Sequence, residues 1–277
     1  MSRLKDTDEF WSRMKGYEAT ETGRCLDPHL PVYARIDGRA FSTFTRGMDR
    51  PFDSRMIEAM VETTKHLVHE THARIGYTQS DEISLIWLAE SAESDILFSG
   101  KIQKMASVLA SMAAAKFATV ISLTWRERLP HFDCRVFQLP DKMEAANVFL
   151  WRAMDARKNA ISMAAQSEFS HRQLYQKGQA DMLAMLADAG VDFEIYPTAF
   201  RRGTFVRREV VLRLLTEDEL ERIPEKHRPT GPVIRSHMAV IDMPPFNKVT
   251  NRVGVIFDGA DPQEACEKPL DTRPELE

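Results

Sequence analysis

Three carboxylates lie beside two strand-like stretches, where their types and spacing suit metal-ion chemistry. Asp37 directly follows the apolar run 32–36, which has β-branched residues at both ends. Asp81 and Glu82 directly precede the run 83–88, which is typical of a mostly buried strand. If the two strands are neighbours, the three carboxylates converge at one edge of a sheet. Their mutual repulsion then calls for a proton or a cation.

A pair of Mg²⁺ ions is the cation that this set predicts. Mg²⁺ prefers oxygen ligands and commonly shares its shell with substrate phosphates, and two such ions clamp the attacking and leaving oxygens of a phosphoryl displacement. We expect Asp37, the Gly38 carbonyl and Asp81 to hold the ions, with Glu82 as a supporting catalytic carboxylate. Backbone NH groups beyond Asp37 would cradle a nucleoside triphosphate. The predicted nucleotide-binding residues here are Asp37, Gly38, Arg39, Ala40, Phe41, Ser42, Ser80 and Asp81.

The same residues also have an ordinary structural interpretation. An Asp-Gly pair after a strand commonly forms only a turn, and a Ser-Asp-Glu sequence commonly lies at a solvated strand end. The combination of both stretches favours the metal site, since the separation of Asp37 and Asp81 leaves room for one crossover helix.

Helical periodicity predicts the elements that position these stretches. A crossover helix is expected from about Asp53, which can cap it, and a second helix over 101–120. The first helix carries His66, His69 and His72, but the third histidine drifts around the helix. We therefore interpret the three as a solvated or partly buried face rather than a metal site.

A third and longer helix is predicted from Asp141 to about Phe169, with Glu144 completing a capping box. A polar row follows one face of it, which indicates a hydrogen-bonding wall for a ligand or, alternatively, the solvent side of the helix. The row consists of Arg152, Asp155, Asn159, Ser162 and Gln166.

The segment 200–208 is the most basic stretch of the chain. It contains Arg201, Arg202, Arg207 and Arg208, with aromatic residues between them. Arginine pairs with phosphates and aromatic rings stack on exposed bases, so the segment is typical of a hairpin or strand facing RNA. A plain surface strand is the alternative.

Taken together, three motifs resemble those of the tRNA-histidine guanylyltransferase family, over about residues 35–208. The motifs are Arg35-Ile36-Asp37-Gly38-Arg39-x-Phe41, Gln79-Ser80-Asp81-Glu82, and Trp151-Arg152-x-x-Asp155-x-x-x-Asn159. The resemblance implies an Mg-dependent nucleotidyltransferase. Such an enzyme activates the 5′-monophosphate end of tRNA with ATP or GTP, and the 3′-hydroxyl of an incoming nucleotide, typically GTP, then attacks that end. Growth is thus 3′ to 5′.

The resemblance also implies further binding residues. Lys101 and Lys104 would approach phosphates of the nucleotide or of the RNA 5′ end, although they are equally well explained as solvent-exposed lysines. Eukaryotic members carry His-Ile-Asn-Asn where this chain has Arg157-Lys158-Asn159-Ala160. That departure resembles the guanylyltransferase-like branch of bacteria and archaea, in which templated repair of 5′-truncated tRNAs is common. The residues expected to bind the tRNA or its 5′ end are Arg152, Asp155, Arg157, Asn159, Arg201, Arg202, Arg207 and Arg208.

The expected fold is α+β, with a ferredoxin-like antiparallel sheet similar to a polymerase palm, flanking helices and a C-terminal helical and hairpin extension. We expect a palm-like catalytic core over 1–140, a helical and basic hairpin region over 141–257, and a disordered tail over 258–277. Within the second region, 217–221 reads as a short helix, 224–245 as a loop or lid, and 253–257 as a final strand.

Composition narrows the class of protein without identifying it. The formal net charge is −4, so any contact with tRNA requires a local basic surface. Three cysteines far apart in sequence predict neither a zinc site nor a disulfide framework, so we expect a cytoplasmic protein. No membrane contact is expected, and the family resemblance implies a homotetramer.

Two rival functions stay open. A nucleotide cyclase shares the palm-like core and the metal carboxylates, but a Gly-Gly-Asp-Glu-Phe type hairpin would favour it, and this chain has Gln79-Ser80-Asp81-Glu82-Ile83. A non-catalytic RNA-binding relative would have no need of the carboxylates.

Overall fold

Six antiparallel strands form one sheet in the computed structural model, which describes residues 2–121, 125 and 127–265. Across the sheet the strand order is β4-β1-β3-β2-β5-β6. The strands are β1 Val32–Gly38, β2 Ile75–Gln79, β3 Glu82–Trp87, β4 Phe132–Gln138, β5 Thr204–Arg213 and β6 Val233–Ile241.

Helices pack on both faces of this sheet. They are α1 Ser2–Thr22, α2 Phe41–Phe44, α3 Ser54–Thr71, α4 Ile102–Val120, α5 Lys142–Glu168, α6 His171–Leu174, α7 Gln179–Asp188, α8 Thr198–Arg202, α9 Glu217–Glu221 and α10 Arg252–Phe257. The predicted caps Asp53 and Asp141 are confirmed, because their carboxylates accept the backbone N–H groups of Arg55 and Glu144. The Glu144 carboxylate accepts from the Asn147 amide at 2.8 Å, so the predicted capping box is only half formed. Short 3₁₀ turns lie at Leu97–Gly100, Phe193–Ile195 and Glu225–His227.

The first four strands have the predicted ferredoxin-like arrangement. Helix α3 crosses from β1 to β2, β3 returns as a hairpin between these two strands, and α4 leads to β4 on the other side of β1. The two strands that carry the motif carboxylates are therefore adjacent in the middle of the sheet.

Alternation along the strands assigns each side chain to one of two layers. Val32, Ala34 and Ile36 pack against α3 and α4, whereas Tyr33 packs on Phe149 of α5. By the same alternation Arg35 and Asp37 lie on the α5 side of the sheet. Helix α5 continues beyond the sheet and packs with α6, α7 and α8. These helices enclose an apolar cluster separate from the two layers on the sheet.

Two predictions about the C-terminal part are wrong. The segment expected as a loop contains β6, which pairs with β5 over nine positions and forms the outer strand of the sheet. Residues 252–257 form the helix α10 instead of a strand, with Val255, Ile256 and Phe257 buried. A short apolar run of this kind does not distinguish a buried helix from a strand.

The sheet is continuous across the boundary predicted at residue 140, because β5 joins the edge of β2. Residues 258–265, at the start of the predicted tail, are bonded to the rest of the fold. The Ala265 N–H donates to the Lys248 carbonyl at 3.0 Å, and the Thr250 N–H donates to the Gln263 carbonyl at 2.8 Å. The remainder of that tail, 266–277, lies outside the described residues. Over the described ranges, no helix is long and apolar enough to cross a membrane.

Candidate active site

The end of β1 and the β2–β3 turn bring Asp37, Asp81 and Glu82 together. Asp37 lies opposite Glu82 in the register of the two strands. The Gly38 N–H donates to the Asp81 carbonyl at 3.0 Å, which fixes the turn against the strand end. Ser80 has a φ of 52°, so the tight turn leaves Ser80 and Asp81 at its tip.

Gly38 is required by the close approach of this turn. A Cβ added at position 38 would lie 2.8 Å from the Asp81 Cβ and would overlap the Phe41 ring. Any larger residue would therefore force the β2–β3 turn, and Asp81 with it, away from β1.

Asp81 carries an uncompensated charge. Burial, followed by the nearby charge of Asp37, raises the pKa of Asp81 to about 6. Among the described residues, no lysine, arginine or histidine forms an ion pair with Asp37 or Asp81. A cation bound between these two carboxylates would offset both the burial of Asp81 and its repulsion from Asp37.

Glu82 differs because a cation of the chain already holds it. Arg152 of α5 donates from Nε and Nη2 to the two Glu82 oxygens, at 2.6 and 2.7 Å. Burial raises the pKa of Glu82, and this hydrogen-bonded arginine opposes the rise. The pair fastens α5 to the sheet beside Asp37. Each Glu82 oxygen accepts one of these bonds, and the supporting catalytic role of Glu82 stays a prediction.

The predicted polar row on α5 continues from that pair. Arg152 donates to Asp155 at 3.1 Å, and the Asn159 amide donates to the same carboxylate at 3.4 Å. Ser162 instead turns towards Met182 of α7, with its hydroxyl 3.9 Å from the sulfur. Gln166 lies further along and lines a cavity.

That cavity, of about 560 Å³, opens beside Asp81. Its walls are the residues after β1, the β2–β3 turn, one side of α5 and the start of α8. Polar residues that line it are Ser42, Thr45, Asp49, Arg50, Asp53, Gln79, Ser80, Asp81 and Gln166. Sequence reasoning missed Thr45, Asp49 and Arg50, because a turn-rich loop has no periodicity that would show which side chains point inwards.

The donor set of this site fits Mg²⁺. It offers two carboxylates and a backbone carbonyl, and no cluster of three or more potential metal-binding side chains was found within the described part of the chain. Mg²⁺ is commonly bound by one or two carboxylates together with substrate phosphates, and the adjoining cavity leaves space for such phosphates.

The structure does not bring Lys101 and Lys104 to the carboxylates. The backbone of Lys101 forms an antiparallel β-bridge with Cys25, and the Lys104 ammonium lies 4.6 Å from the centre of the Phe98 ring. These contacts belong to the beginning of α4, whereas Phe117 near its end packs on Phe41 beside the site. The two lysines therefore lie at the far end of α4.

The arginines of the basic segment are mostly engaged within the chain. Arg201 and Arg202 lie on α8 rather than on a strand, and Arg201 pairs with Glu194, as does Arg157 at 3.0 Å. Arg202 lines a second and smaller cavity with Arg157.

The other two arginines of the segment lie on β5. Arg207 is only 8% exposed and bonds to Glu209, Asp261 and the Ala260 carbonyl. Arg208 donates to the His69 carbonyl at 3.0 Å and to the Ser236 hydroxyl at 3.2 Å.

The aromatic residues of the same segment do not face solvent. Phe200 and Phe205 are 5% and 3% exposed, and each packs in an apolar cluster. The prediction that they stack on exposed bases is therefore wrong. Alternation of basic and aromatic residues does not reveal that the rings fill the core.

Comparisons with known proteins identify the family. A sequence model of the Thg1 family, described as tRNAHis guanylyltransferase, matches residues 11–140. The tRNA(His) guanylyltransferase of Debaryomyces hansenii is 23% identical over 254 residues, which cover 83% of this chain and 94% of that protein.

Two solved structures extend the match over most of the fold. A bacterial tRNA(HIS) guanylyltransferase (Thg1)-like protein in complex with GTP is 33% identical, with a TM-score of 0.69 over 87% of this chain and 94% of that chain. A chain of the same description in complex with ATP is 38% identical, with a TM-score of 0.68 over 72% of this chain and 88% of that one. Because these identities extend over most of both chains, the chain belongs to the tRNA-histidine guanylyltransferase family of nucleotidyltransferases.

Proposed function

We propose that this enzyme adds nucleotides to the 5′ end of tRNA in the 3′ to 5′ direction. The observation that carries the proposal is the pair of carboxylates Asp37 and Asp81, without an ion-pair partner among the described residues, of which Asp81 lines a cavity of about 560 Å³. A binding protein would gain nothing from placing Asp81 beside Asp37, since the raised pKa of Asp81 shows that its charge costs free energy in the folded state. Nucleotide and tRNA as substrates are supported by the family and by the ATP and GTP complexes of its relatives.

The proposed reaction has two displacements. In the first, a 5′-phosphate oxygen of the tRNA attacks the α-phosphorus of ATP or GTP, and pyrophosphate leaves. In the second, the 3′-hydroxyl of an incoming nucleoside triphosphate attacks the activated 5′-phosphate and loses its proton, and the activating nucleotide leaves as a monophosphate.

Residues of the chain would position these reactants. Asp37, the Gly38 carbonyl and Asp81 would hold two Mg²⁺ ions, which supply charge neutralisation at the attacking and leaving oxygens. The backbone N–H groups after Gly38, together with Ser80, would bind triphosphate oxygens. Arg152 keeps α5 against the sheet through Glu82, and thereby fixes one wall of the cavity.

We further propose templated repair of 5′-truncated tRNA as the main activity. In place of the histidine of the eukaryotic motif this chain has Arg157, which pairs with Glu194 and lies over the Phe193 ring instead of facing the carboxylates. Non-templated addition of G to tRNA-histidine is the second activity to test, because the chain belongs to the family named for it. A tetrameric assembly and a cytoplasmic location stay predictions of the family resemblance and the cysteine pattern.

The test is transfer of label from α-³²P-GTP to 5′-monophosphorylated tRNA in the presence of Mg²⁺ and ATP. Full-length tRNA-histidine would be compared with a tRNA that lacks its first nucleotide and has C opposite the gap. Labelling of only the truncated tRNA, and only opposite C, indicates templated repair. Labelling of tRNA-histidine whatever the opposing base indicates guanylyltransferase activity.

Variants tie this activity to the carboxylates. Asp37→Ala and Asp81→Ala should each lower transfer by at least about a thousandfold, the scale expected when a group that stabilises developing charge is removed. Asp188→Asn, at the exposed end of α7, is the matched control and should transfer label at the wild-type rate. Transfer that survives in Asp81→Ala, or no labelling of either tRNA by the wild type, would overturn the proposal.

A further inference from the structure

One face of the sheet is left open beside the candidate active site. Helix α5 covers the middle of this face, but the part on β4 is exposed to solvent, and Arg35 of β1 is partly exposed beside it. Arg35 and Arg135 lie opposite each other there in the β1–β4 register. Trp151 on α5 is 53% exposed, and Phe137 on β4 is 38% exposed.

The two arginines are poorly compensated by the chain itself. Like charges directly opposite each other on neighbouring strands are destabilising. Each arginine has one long ion pair, at 3.9 Å from Arg35 to Glu82 and 3.5 Å from Arg135 to Asp133, and neither pair is hydrogen-bonded among the described residues. Glu82 is already held by Arg152, and the Arg35 Nε is buried without a hydrogen-bond partner among the described residues. This arrangement calls for an anion on the open face.

Trp151 is fixed in place although it is exposed. Its ring centre lies 5.7 Å from the guanidinium carbon of Arg35 and 4.6 Å from that of Arg152. Arg152 is in turn immobilised by its two bonds to Glu82. An exposed aromatic ring held in this way provides a rigid flat surface at low entropic cost.

The position of these groups connects them with the reaction. Arg35 and Asp37 are two residues apart on β1 and lie on the same face, so their Cα atoms are separated by about 7 Å. Anything that contacts Arg35 and Trp151 thus lies within one nucleotide of the carboxylates. Rings that stack on bases combined with guanidinium groups that bind phosphates are typical of surfaces for single-stranded RNA.

We propose that Trp151, Arg35 and Arg135 form a binding platform for the end of the RNA substrate. Trp151 stacks on a base next to the reacting 5′ end, and the two arginines bind phosphates of the adjoining backbone. The inference rests on the proposed function, because it names the surface that holds that substrate.

The test compares binding and turnover of a 5′-monophosphorylated tRNA transcript that lacks its first nucleotide. Trp151→Ala should weaken tRNA binding and raise KM for tRNA by about tenfold, the loss expected when one stacked base is given up. KM for GTP should stay within twofold, and Trp151→Phe should recover most of the affinity. Trp11→Ala is the matched control, since Trp11 is a similarly exposed tryptophan on α1.

Salt dependence separates the two kinds of contact. Arg135→Gln should reduce the slope of log Kd against log salt by about 0.7 to 0.9, as expected for one lost phosphate contact. Trp151→Ala should leave this slope unchanged. Arg13→Gln on α1 serves as the control for the loss of an exposed arginine.

The outcomes distinguish this inference from the function on which it rests. If the wild type transfers label but Trp151→Ala and Arg135→Gln bind tRNA within twofold of wild type, the platform is overturned and the proposed function stands. A change of oligomeric state in Trp151→Ala, without loss of tRNA affinity, would make this face a protein contact and also overturn it. If the wild type binds tRNA through Trp151 and transfers no label, the platform stands and the proposed function fails.

Discussion

The β1 end and the basic segment 200–208 both concentrate charge, but the fold treats them in opposite ways. Asp37 and Asp81 are brought together without an ion-pair partner among the described residues, and burial and proximity raise the pKa of Asp81 to about 6. Arg207, in contrast, is buried among partners from its own chain. The first region carries charge that a bound cation would relieve, while Arg207 in the second holds parts of the fold together.

This difference shows which charges in a sequence indicate function. A run of arginines is conspicuous, yet Arg201 and Arg207 are paired with carboxylates of the chain itself once it folds. The carboxylate pair is less conspicuous, since its members are far apart in sequence, yet it stores unfavourable electrostatic energy that only a ligand relieves. Strongly perturbed carboxylates beside a cavity are accordingly better candidates for an active site than a basic stripe.

The largest expected effect tests whether Asp81 is destabilising. Because its pKa is raised from 3.8 to about 6, the ionised carboxylate lowers the free energy of unfolding at pH 7.5. Asp81→Asn should therefore stabilise the metal-free protein by about 3 kcal/mol at pH 7.5 while abolishing transfer. The gain should vanish below about pH 3.8, where the carboxyl is protonated in both the folded and the unfolded state. Denaturant unfolding in EDTA at the two pH values measures this, and a variant that is less stable at pH 7.5 would contradict it.

Addition of Mg²⁺ should stabilise the wild type more than it stabilises Asp81→Asn. Mg²⁺ that binds only the folded state raises its stability, so the wild type should gain thermal stability from millimolar Mg²⁺ with GTP. Asp81→Asn should gain much less, and Asp188→Asn, which keeps the site, should behave like the wild type. Equal stabilisation of all three proteins would show that the ion binds elsewhere.

Substitution in the basic segment 200–208 should lower the stability of the protein without changing its affinity for tRNA. Arg207→Met removes a buried guanidinium and leaves Glu209 and the Ala260 carbonyl without their donor, which should cost about 2 kcal/mol of unfolding free energy. Affinity for tRNA, measured on the folded fraction, should be unchanged. A folded Arg207→Met protein with weakened tRNA binding would remove the contrast between the two regions and restore the RNA-facing interpretation of the segment.

Local patterns predicted the elements that position the site. The boundaries of α3 and α5 follow from cap residues whose side chains bond to backbone within the next few positions, as with Asp53 and Asp141. The approach of Asp37 and Asp81 was predicted on the condition that their strands are neighbours, and the β1–β3 pairing meets that condition.

What the sequence did not reveal depends on contacts between distant positions. The pair of Glu82 and Arg152, the exposure of Trp151 and the burial of Phe200 and Phe205 are set by how α5 and α8 pack on the sheet. Strand β6 was missed because its pairing partner β5 lies beyond a long connection. The prolines on both sides of it, among them Pro232 and Pro244, are typical of a loop.

Asp53 offers a smaller contrast with Asp81, as a carboxylate whose charge is fully compensated. Its hydrogen bonds from Arg55 lower the pKa of Asp53 from 3.8 to about 2. A lowered pKa contributes stability above pH 3.8 that is lost as the pH falls towards 2, the opposite sign from Asp81.

Substitution of Asp53 should show how its contribution to stability changes with pH. Asp53→Asn keeps a capping side chain and loses the ion pair, which should cost about 1 kcal/mol at pH 7, since the partly exposed Arg55 is screened by solvent. Urea unfolding between pH 2 and pH 7 should show the variant and the wild type converging at the acid end. A constant difference across that range would show that packing, and not charge, accounts for the loss.

The smallest effect is expected at the far end of α4. Lys104 lies against the Phe98 ring and away from the carboxylates, so Lys104→Gln should change KM for GTP by less than about twofold within a single chain. Arg50→Gln provides the comparison, because Arg50 lines the cavity beside Asp81 and its loss should raise KM for GTP severalfold if it contacts the triphosphate. Steady-state transfer assays at saturating tRNA measure both. A large rise in KM for Lys104→Gln would require another copy of the chain to bring this lysine to the site, because the fold of one copy keeps it at the opposite end of α4.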